Sequence, residues 1–255
     1  MSRIDDSGLL PYEGGTVKAF GNAVRHMSHH RLSGDPSVSI TLRRPKRVRR
    51  ISLRVSQLDG RVTLTLPAGV SEREALDFAQ EKADWIRGHL ARQPERLKLA
   101  LGDQLPIEGV VRTITQTTGR RVQLLAKEIA LPDKVGNDIG PRLEAFLKEL
   151  ARDRLTEASD RHAESLGREF SRITIRDTRS RWGSCSSRGA LMYSWRLILA
   201  PPDVLDYVAA HEVAHLQEMN HSPEFWAVVE RLYGDYAAPR SWLRNNGSAL
   251  HRFDF

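Results

Sequence analysis

Residues 203–226 read DVLDYVAAHEVAHLQEMNHSPEFW, and the reading of the whole chain turns on this stretch. His211 and His215 are four residues apart, so on a helix they stand on one face, one turn above the other. Both imidazoles can then reach a single ion. Leu205, Ala209, Val213 and Leu216 supply an opposing apolar stripe for the core, and Ala210 and Ala214 keep the neighbouring surface slim. Asp203 is placed as N-cap, with Asp206 complementing the exposed first-turn amides. The helix is expected to run to about Met219. A continuing helix would carry His221 away from the ion. Asn220 reads as a left-handed helix end, and Ser222-Pro223 as the N-cap and first position of a new helix. His221 is thereby confined to a turn, from which its ring swings back.

Three neutral imidazoles leave one coordination position for water, the pattern of a catalytic rather than a structural zinc site. Glu212 lies one residue round from His211. Its side chain reaches that zinc-bound water rather than the ion, so it is assigned as general base and then proton donor. Glu218 or Glu224 is an alternative third ligand, and Ni2+ or Mn2+ an alternative to Zn2+.

Upstream, Arg181-Trp182-Gly183-Ser184-Cys185-Ser186 forms a loop between a short strand, Ile173 to Arg176, and a second strand, Ala190 to Leu199. Arg181, Gly183, Arg196 and Tyr193 are candidate substrate or anion-binding residues. Arg179 and Arg188 lie near them in sequence. Against that stand a solvated surface for the arginines, a turn requirement for Gly183 and a core role for Tyr193. The strand from Ala190 could line a cleft and pair with an extended peptide. Cys185 is read as a small packing residue.

Leu143, Phe146, Leu147, Leu150 and Leu155 recur at helical spacing and predict a long amphipathic helix from Pro141 to about Leu166. Period-two alternation at 39–42, 50–55 and 61–66 predicts half-buried strands, with Asp59-Gly60 as a hairpin turn. Ser71 caps a helix from Glu72 to about Arg92, and residues 104–131 are again β-rich. The expected organisation is a poorly ordered extension over 1–36, a β-rich subdomain with one helix over 37–136 and a catalytic domain over 137–255. His26, His29 and His30 fall in the extension and are read as part of a mobile tail rather than a metal site.

The chain has 255 residues, with 39 Lys+Arg against 32 Asp+Glu, a net charge of +7. That balance favours anionic partners without naming one. The segment from Arg43 to Arg50 carries six cations and could grip nucleic-acid phosphates. It has no interleaved aromatics for base stacking, so a charge-protected hairpin or edge strand competes with that reading. A single cysteine excludes an intrachain disulfide and fits a reducing compartment. No run is long and apolar enough to cross a bilayer, and none resembles a signal peptide. A cytoplasmic protein with no membrane partner is expected.

His211-Glu212-Val213-Ala214-His215-Leu216, with Asn220-His221-Ser222 and Phe225-Trp226, resembles the YgjP-like metallopeptidase family, relatives of the SprT-like and WLM zinc proteases. Arg181 to Ser186 resembles the family's second hallmark, and Asp206-Tyr207-Val208 its approach to the helix. The similarity extends back through Trp85-Ile86 and the strand at Ile51, over roughly residues 45 to 250. The resemblance implies an α+β fold with a zincin-like minimal metalloprotease domain preceded by the β-rich region. It implies His211, His215 and His221 as ligands and Glu212 as catalyst. The metzincin pattern fits less well, because Glu218 stands where that pattern has glycine and no methionine turn follows. Within the family, a peptidase, a nucleoside triphosphate (UTP-like) pyrophosphatase and a DNA-associated protease of SprT-like type are all represented or related. The partner is accordingly a protein or peptide, a nucleoside triphosphate, or nucleic acid through Arg43 to Arg50.

Overall fold

The structure is a computed structural model and describes residues 9–11, 27–56, 60–91, 96–133 and 138–255. The fold is α+β, and the chain divides into two compact units, Asp6–Pro94 and Glu95–Phe255, apart from the first five residues.

In the first unit, five strands form one sheet in the order β1-β4-β5-β3-β2. Their ranges are β1 Leu9–Pro11, β2 Met27–Leu32, β3 Val38–Arg43, β4 Ser52–Val55 and β5 Val62–Thr65. Alternation works as expected: Leu53, Val55, Val62 and Leu64 are buried while their neighbours are partly exposed. β4 and β5 pair antiparallel, and Gly60 takes a left-handed φ of 68° in their connection. Asp59 lies outside the described residues. Helices α1 (Glu72–Glu81) and α2 (Ala83–Ala91) cover the sheet with Ala75, Phe78, Ala79, Ala83 and Ile86. The Ser71 Oγ accepts from the Glu74 amide at 3.1 Å, the expected cap.

Two expectations for this unit are corrected. One helix to Arg92 becomes two, broken at Lys82. The buried apolar positions run on through the break, so periodicity alone could not reveal it. The extension over 1–36 contains β2, which pairs along its full length with β3. His29 and His30 are adjacent on β2, so their side chains leave opposite faces and cannot converge on one ion. The His29 Nδ1 lies 3.3 Å from Thr41 Oγ1, and His30 Nε2 lies 3.4 Å from a Glu72 carboxylate oxygen. His26 lies outside the described residues.

The second unit opens with β6 (Leu97–Lys98), followed by β7 (Gln104–Ile107), β8 (Val110–Thr117), β9 (Gln123–Leu124) and β10 (Glu128–Pro132). The last four form a sheet in the order β7-β8-β10-β9. Leu105, Ile107, Ile114, Ile129 and Leu131 from this sheet share a core with the long helix α3 (Gly140–Leu166). The boundary therefore falls near residue 94, not at 136. Strand periodicity states that one face is buried but not which core buries it.

α3 buries Leu143, Leu147, Ala151, Leu155 and Ala158, spaced three or four residues apart. Gly167, at φ 67°, ends it. A three-stranded sheet follows in the order β11-β13-β12, with β11 Arg172–Arg176, β12 Gly183–Cys185 and β13 Ala190–Ser194. β13 is the central strand, parallel to β11 and antiparallel to β12. Two expectations change here. The loop at 181–186 contains the edge strand β12, and the strand from Ala190 turns into a 3-10 helix at Trp195–Leu199. Helices α4 (Pro202–Ala214), α5 (Pro223–Tyr233) and α6 (Ala237–Asn246) complete the unit, and β14 (Phe253–Asp254) returns to pair with β6. Among the described residues, no helix is long and apolar enough to cross a membrane.

Candidate metal centre

α4 sits against α3, α5, α6 and β12. Every residue from Tyr207 to Ala214 is buried, so this half of the helix is enclosed by protein, while Pro202 and Asp203 at its start are exposed. Small residues permit this: Ala209, Ala210 and Ala214 let neighbouring elements approach closely. The N-cap position is Pro201, with Pro202 first in the helix, rather than Asp203. Pro202 has no amide to leave unsatisfied there. Asp206 does not serve the helix end; its carboxylate binds Arg161 at 2.7 Å and His162 at 2.9 Å.

The helix ends at Ala214, earlier than the expected Met219, and His215 occupies the C-cap. Tight turns then follow, with the Gln217 and Glu218 amides both donating to the Ala214 carbonyl at 3.0 Å. Asn220 does not adopt the left-handed conformation expected of it. Its side-chain oxygen instead accepts from the Ser222 amide at 3.0 Å. Ser222 and Pro223 open α5 as expected. This connection returns His221 to α4.

The three imidazoles converge. Ring centroids lie 5.1 Å apart for His211 and His215, 5.0 Å for His211 and His221, and 4.9 Å for His215 and His221. One nitrogen from each lies within 4.8 Å of the other two. Phe225, fully buried on α5, holds all three, at centroid distances of 4.8, 4.4 and 4.7 Å from His211, His215 and His221. Glu218 offers its backbone carbonyl to the His215 Nδ1–H at 2.8 Å, which fixes the tautomer with Nε2 unprotonated. The Glu218 and Glu224 carboxylates are outside the cluster, and Glu224 is fully exposed.

Burial pushes all three imidazoles toward the neutral state. His211 lies well below the ordinary histidine range, His215 is pushed down to about 4, and His221 is lowered as well. The positive charge of Arg240 reinforces the effect on His211 and His221. The His221 and His211 Nε2 atoms are 3.0 Å apart. Two neutral rings so placed either share one N–H between them or, with both protons on Nδ1, turn two lone pairs to the same small space, where a cation satisfies both. The donor set fits a borderline-soft divalent ion.

Glu212 is only 2% exposed. Burial pushes its carboxyl up to about 8, against the opposing effects of the Arg181 charge and the Cys185 backbone amide, which hydrogen-bonds to it. Oε2 has no hydrogen-bond partner among the described residues. Gly183 explains itself here. A Cβ on it would fall 2.4 Å from Glu212 Oε1 and 2.5 Å from Cγ, so only glycine admits the carboxylate.

Gly183 therefore makes room for Glu212, and the left-handed turn that could have explained it is absent. Tyr193 and Arg196, also expected near a substrate, belong to the scaffold. Tyr193 is fully buried with its hydroxyl 2.9 Å from Ser159 Oγ. Arg196 is 8% exposed, binds Asp177 through Nε and Nη2 at 2.8 and 3.1 Å, and donates from Nη1 to the Leu250 and Phe253 carbonyls. Arg181 stays partly exposed beside β12. Cys185 is buried, and its thiol is pushed up to about 11, mainly by burial, so it is inert.

Burial alone would raise the Asp177 carboxyl, but Arg196 outweighs it and holds it below the ordinary value of 3.8. The stabilisation is present above that value and is lost as pH falls through the lower, folded value. Asp177→Asn is expected to cost about 3 kcal/mol by stranding a buried guanidinium. Urea unfolding at pH 7 measures this, and the gap between wild type and variant should narrow below about pH 4.

Any pairing with an extended peptide falls to β12 rather than β13, which has partners on both sides. The Ser194 amide donates to the Trp182 carbonyl at 2.8 Å, and the Ser186 amide to the Ala190 carbonyl at 2.9 Å. Antiparallel alternation then turns the backbone groups of Gly183 and the Cys185 carbonyl toward the outer edge, where Glu212 takes the Cys185 amide.

The YgjP-like family model, described as YgjP-like, metallopeptidase domain, matches residues 49–246. Among solved structures, the chain is similar to the crystal structure of the metallopeptidase zymogen of Pyrococcus abyssi abylysin. That match covers 36% of this chain and 92% of that chain at 21% identity, with a TM-score of 0.33. No curated protein matches the sequence.

Proposed function

The chain belongs to the YgjP-like metallopeptidase domain family, and from that premise we propose that it is a zinc-dependent peptidase with Glu212 as its general base. The observation that carries this reading is the convergence of three neutral imidazoles beside a buried carboxylate with one unpartnered oxygen. His211, His215 and His221 would hold the ion. When bound, it supplies Lewis acidity, polarising the scissile carbonyl and lowering the pKa of water. Glu212 Oε2 takes the proton of the attacking water and returns it to the leaving amine. The Cys185 amide, bound to the same carboxylate, fixes its direction. The Gly183 backbone at the free edge of β12 aligns an extended polypeptide across the site.

The test is hydrolysis of casein-like proteins and of the four nucleoside triphosphates by purified, metal-analysed protein. Peptide-bond cleavage should disappear on chelation and return on zinc addition. Cleavage of a triphosphate with proteins left intact would replace this reading by a pyrophosphatase acting through the same centre.

A DNA-associated form of the peptidase rests on a separate observation: Arg43, Lys46, Arg47, Arg49 and Arg50 are all exposed. Arg44 is committed to the fold, donating to the Pro67 and Val70 carbonyls. If neutralising the five exposed cations leaves DNA affinity and its salt slope unchanged, that form is excluded.

A further inference from the structure

The outward face of the β11-β13-β12 sheet holds a second feature. Thr174, Met192 and Ser184 lie side by side in register across the three strands. Their neighbours Ile173, Leu191, Cys185 and Tyr193 point to the other face, into the core. Over the outward face lies a cavity of about 440 Å³, lined in part by Arg172, Arg176 and Arg181. No carboxylate lines it, and none of the three arginines makes an ion pair among the described residues. Arg154, Arg161 and Arg196 in the same unit, by contrast, all pair with acids. The Arg181 charge also acts on Glu212, but the Arg172 and Arg176 guanidiniums have no acid beside them among the described residues, and an anion bound between the three relieves their repulsion. The hydroxyls of Thr174 and Ser184 add polar contacts.

The cavity borders the metal centre. Ser184 sits between Gly183, whose space Glu212 fills, and Cys185, whose amide binds Glu212. Met219, also on its wall, follows Glu218, whose carbonyl orients His215. A polypeptide paired to the free edge of β12 sends every second side chain to the face that carries Ser184. The lining includes no aromatic ring and no side-chain amide to stack on or read a base. The chemistry therefore matches a carboxylate side chain rather than a nucleotide.

We propose that this cavity is a substrate subsite selecting an aspartate or glutamate close to the scissile bond, with Arg172, Arg176 and Arg181 as its specificity determinants. The proposal rests on the peptidase reading above. Its test uses the full-length, zinc-loaded Glu212→Gln protein and three fluorescent peptides that differ only in carrying Asp/Glu, Asn/Gln or Lys at the same positions. Fluorescence anisotropy should show the acidic peptide binding about tenfold more tightly than the amide peptide, a difference of about 1.4 kcal/mol. In Arg172→Gln/Arg176→Gln that ratio should collapse toward one, and wild-type digests should show an acidic residue enriched at one fixed distance from the cut. Equal binding of acidic and amide peptides would overturn the subsite while leaving peptide cleavage, and the peptidase reading, intact. Arginine-dependent binding of a nucleoside triphosphate, with no peptide bound or cut, would overturn both.

Discussion

Glu212→Gln should lower peptide hydrolysis by about 10²–10⁴-fold, the usual contribution of a positioned general base. Glutamine has the same shape, and its carbonyl oxygen can still accept the Cys185 amide bond that Glu212 receives. What it lacks is an oxygen that can take up a proton where Oε2 now stands without a partner. Metal content should stay at the wild-type level, because none of the three imidazoles is altered. A second readout follows from burial. In the metal-free protein the carboxyl is pushed from its ordinary 4.5 up to about 8. The folded state thus retains the proton more strongly than the unfolded chain, and wild-type stability falls as pH rises from 4.5 toward 8. The neutral amide escapes that loss, so the metal-free variant should melt at a higher temperature than wild type near pH 8, with the difference shrinking near pH 5. Full activity in the variant on every substrate would remove Glu212 from the mechanism.

Gly183→Ala should be nearly as damaging without touching a single charged group. The added methyl would lie 2.4 Å from Oε1, 2.5 Å from Cγ and 2.7 Å from Cδ of Glu212, closer than real Cβ contacts occur. Glu212 rises from the enclosed half of its helix, so its backbone has little room to retreat. The carboxylate must swing aside and give up the Cys185 amide. A displacement of about 1 Å in a catalytic group costs on the order of 10²-fold in rate. We expect that loss in kcat, with zinc content unchanged and a modest fall in thermal stability. Wild-type kcat in this variant would show that the contact between β12 and Glu212 is incidental to the reaction.

Much of the centre is legible in the sequence itself. Four-residue spacing placed His211 and His215 on one face, and Ser222-Pro223 forced a break that returned His221 to them. The details of that break were not legible. At the break, Asn220 and a helix end near Met219 are favoured by local propensity, as is Asp203 at the other end of the helix, and in each case the packing chooses otherwise. Tyr193 and Arg196 lie close in sequence to the motif, and both are buried with their polar atoms held by the scaffold, which proximity along the chain does not reveal. Nothing in the sequence singles out Arg172 and Arg176, because alternation along β11 does not say which neighbours share their face.

The sequence alone settled what repeats at short range: strand alternation over 39–66, the apolar spacing of the long helix, and the histidine pattern with its forced turn. These depend on backbone periods of two and 3.6 residues, which any reader of the chain can count. Tertiary structure decided the rest. It divided the β-rich half between two cores near residue 94, made β12 rather than β13 the free edge, and set Gly183 against Glu212. Those outcomes rest on contacts between residues tens of positions apart, where close packing of particular shapes, and not local propensity, selects the arrangement.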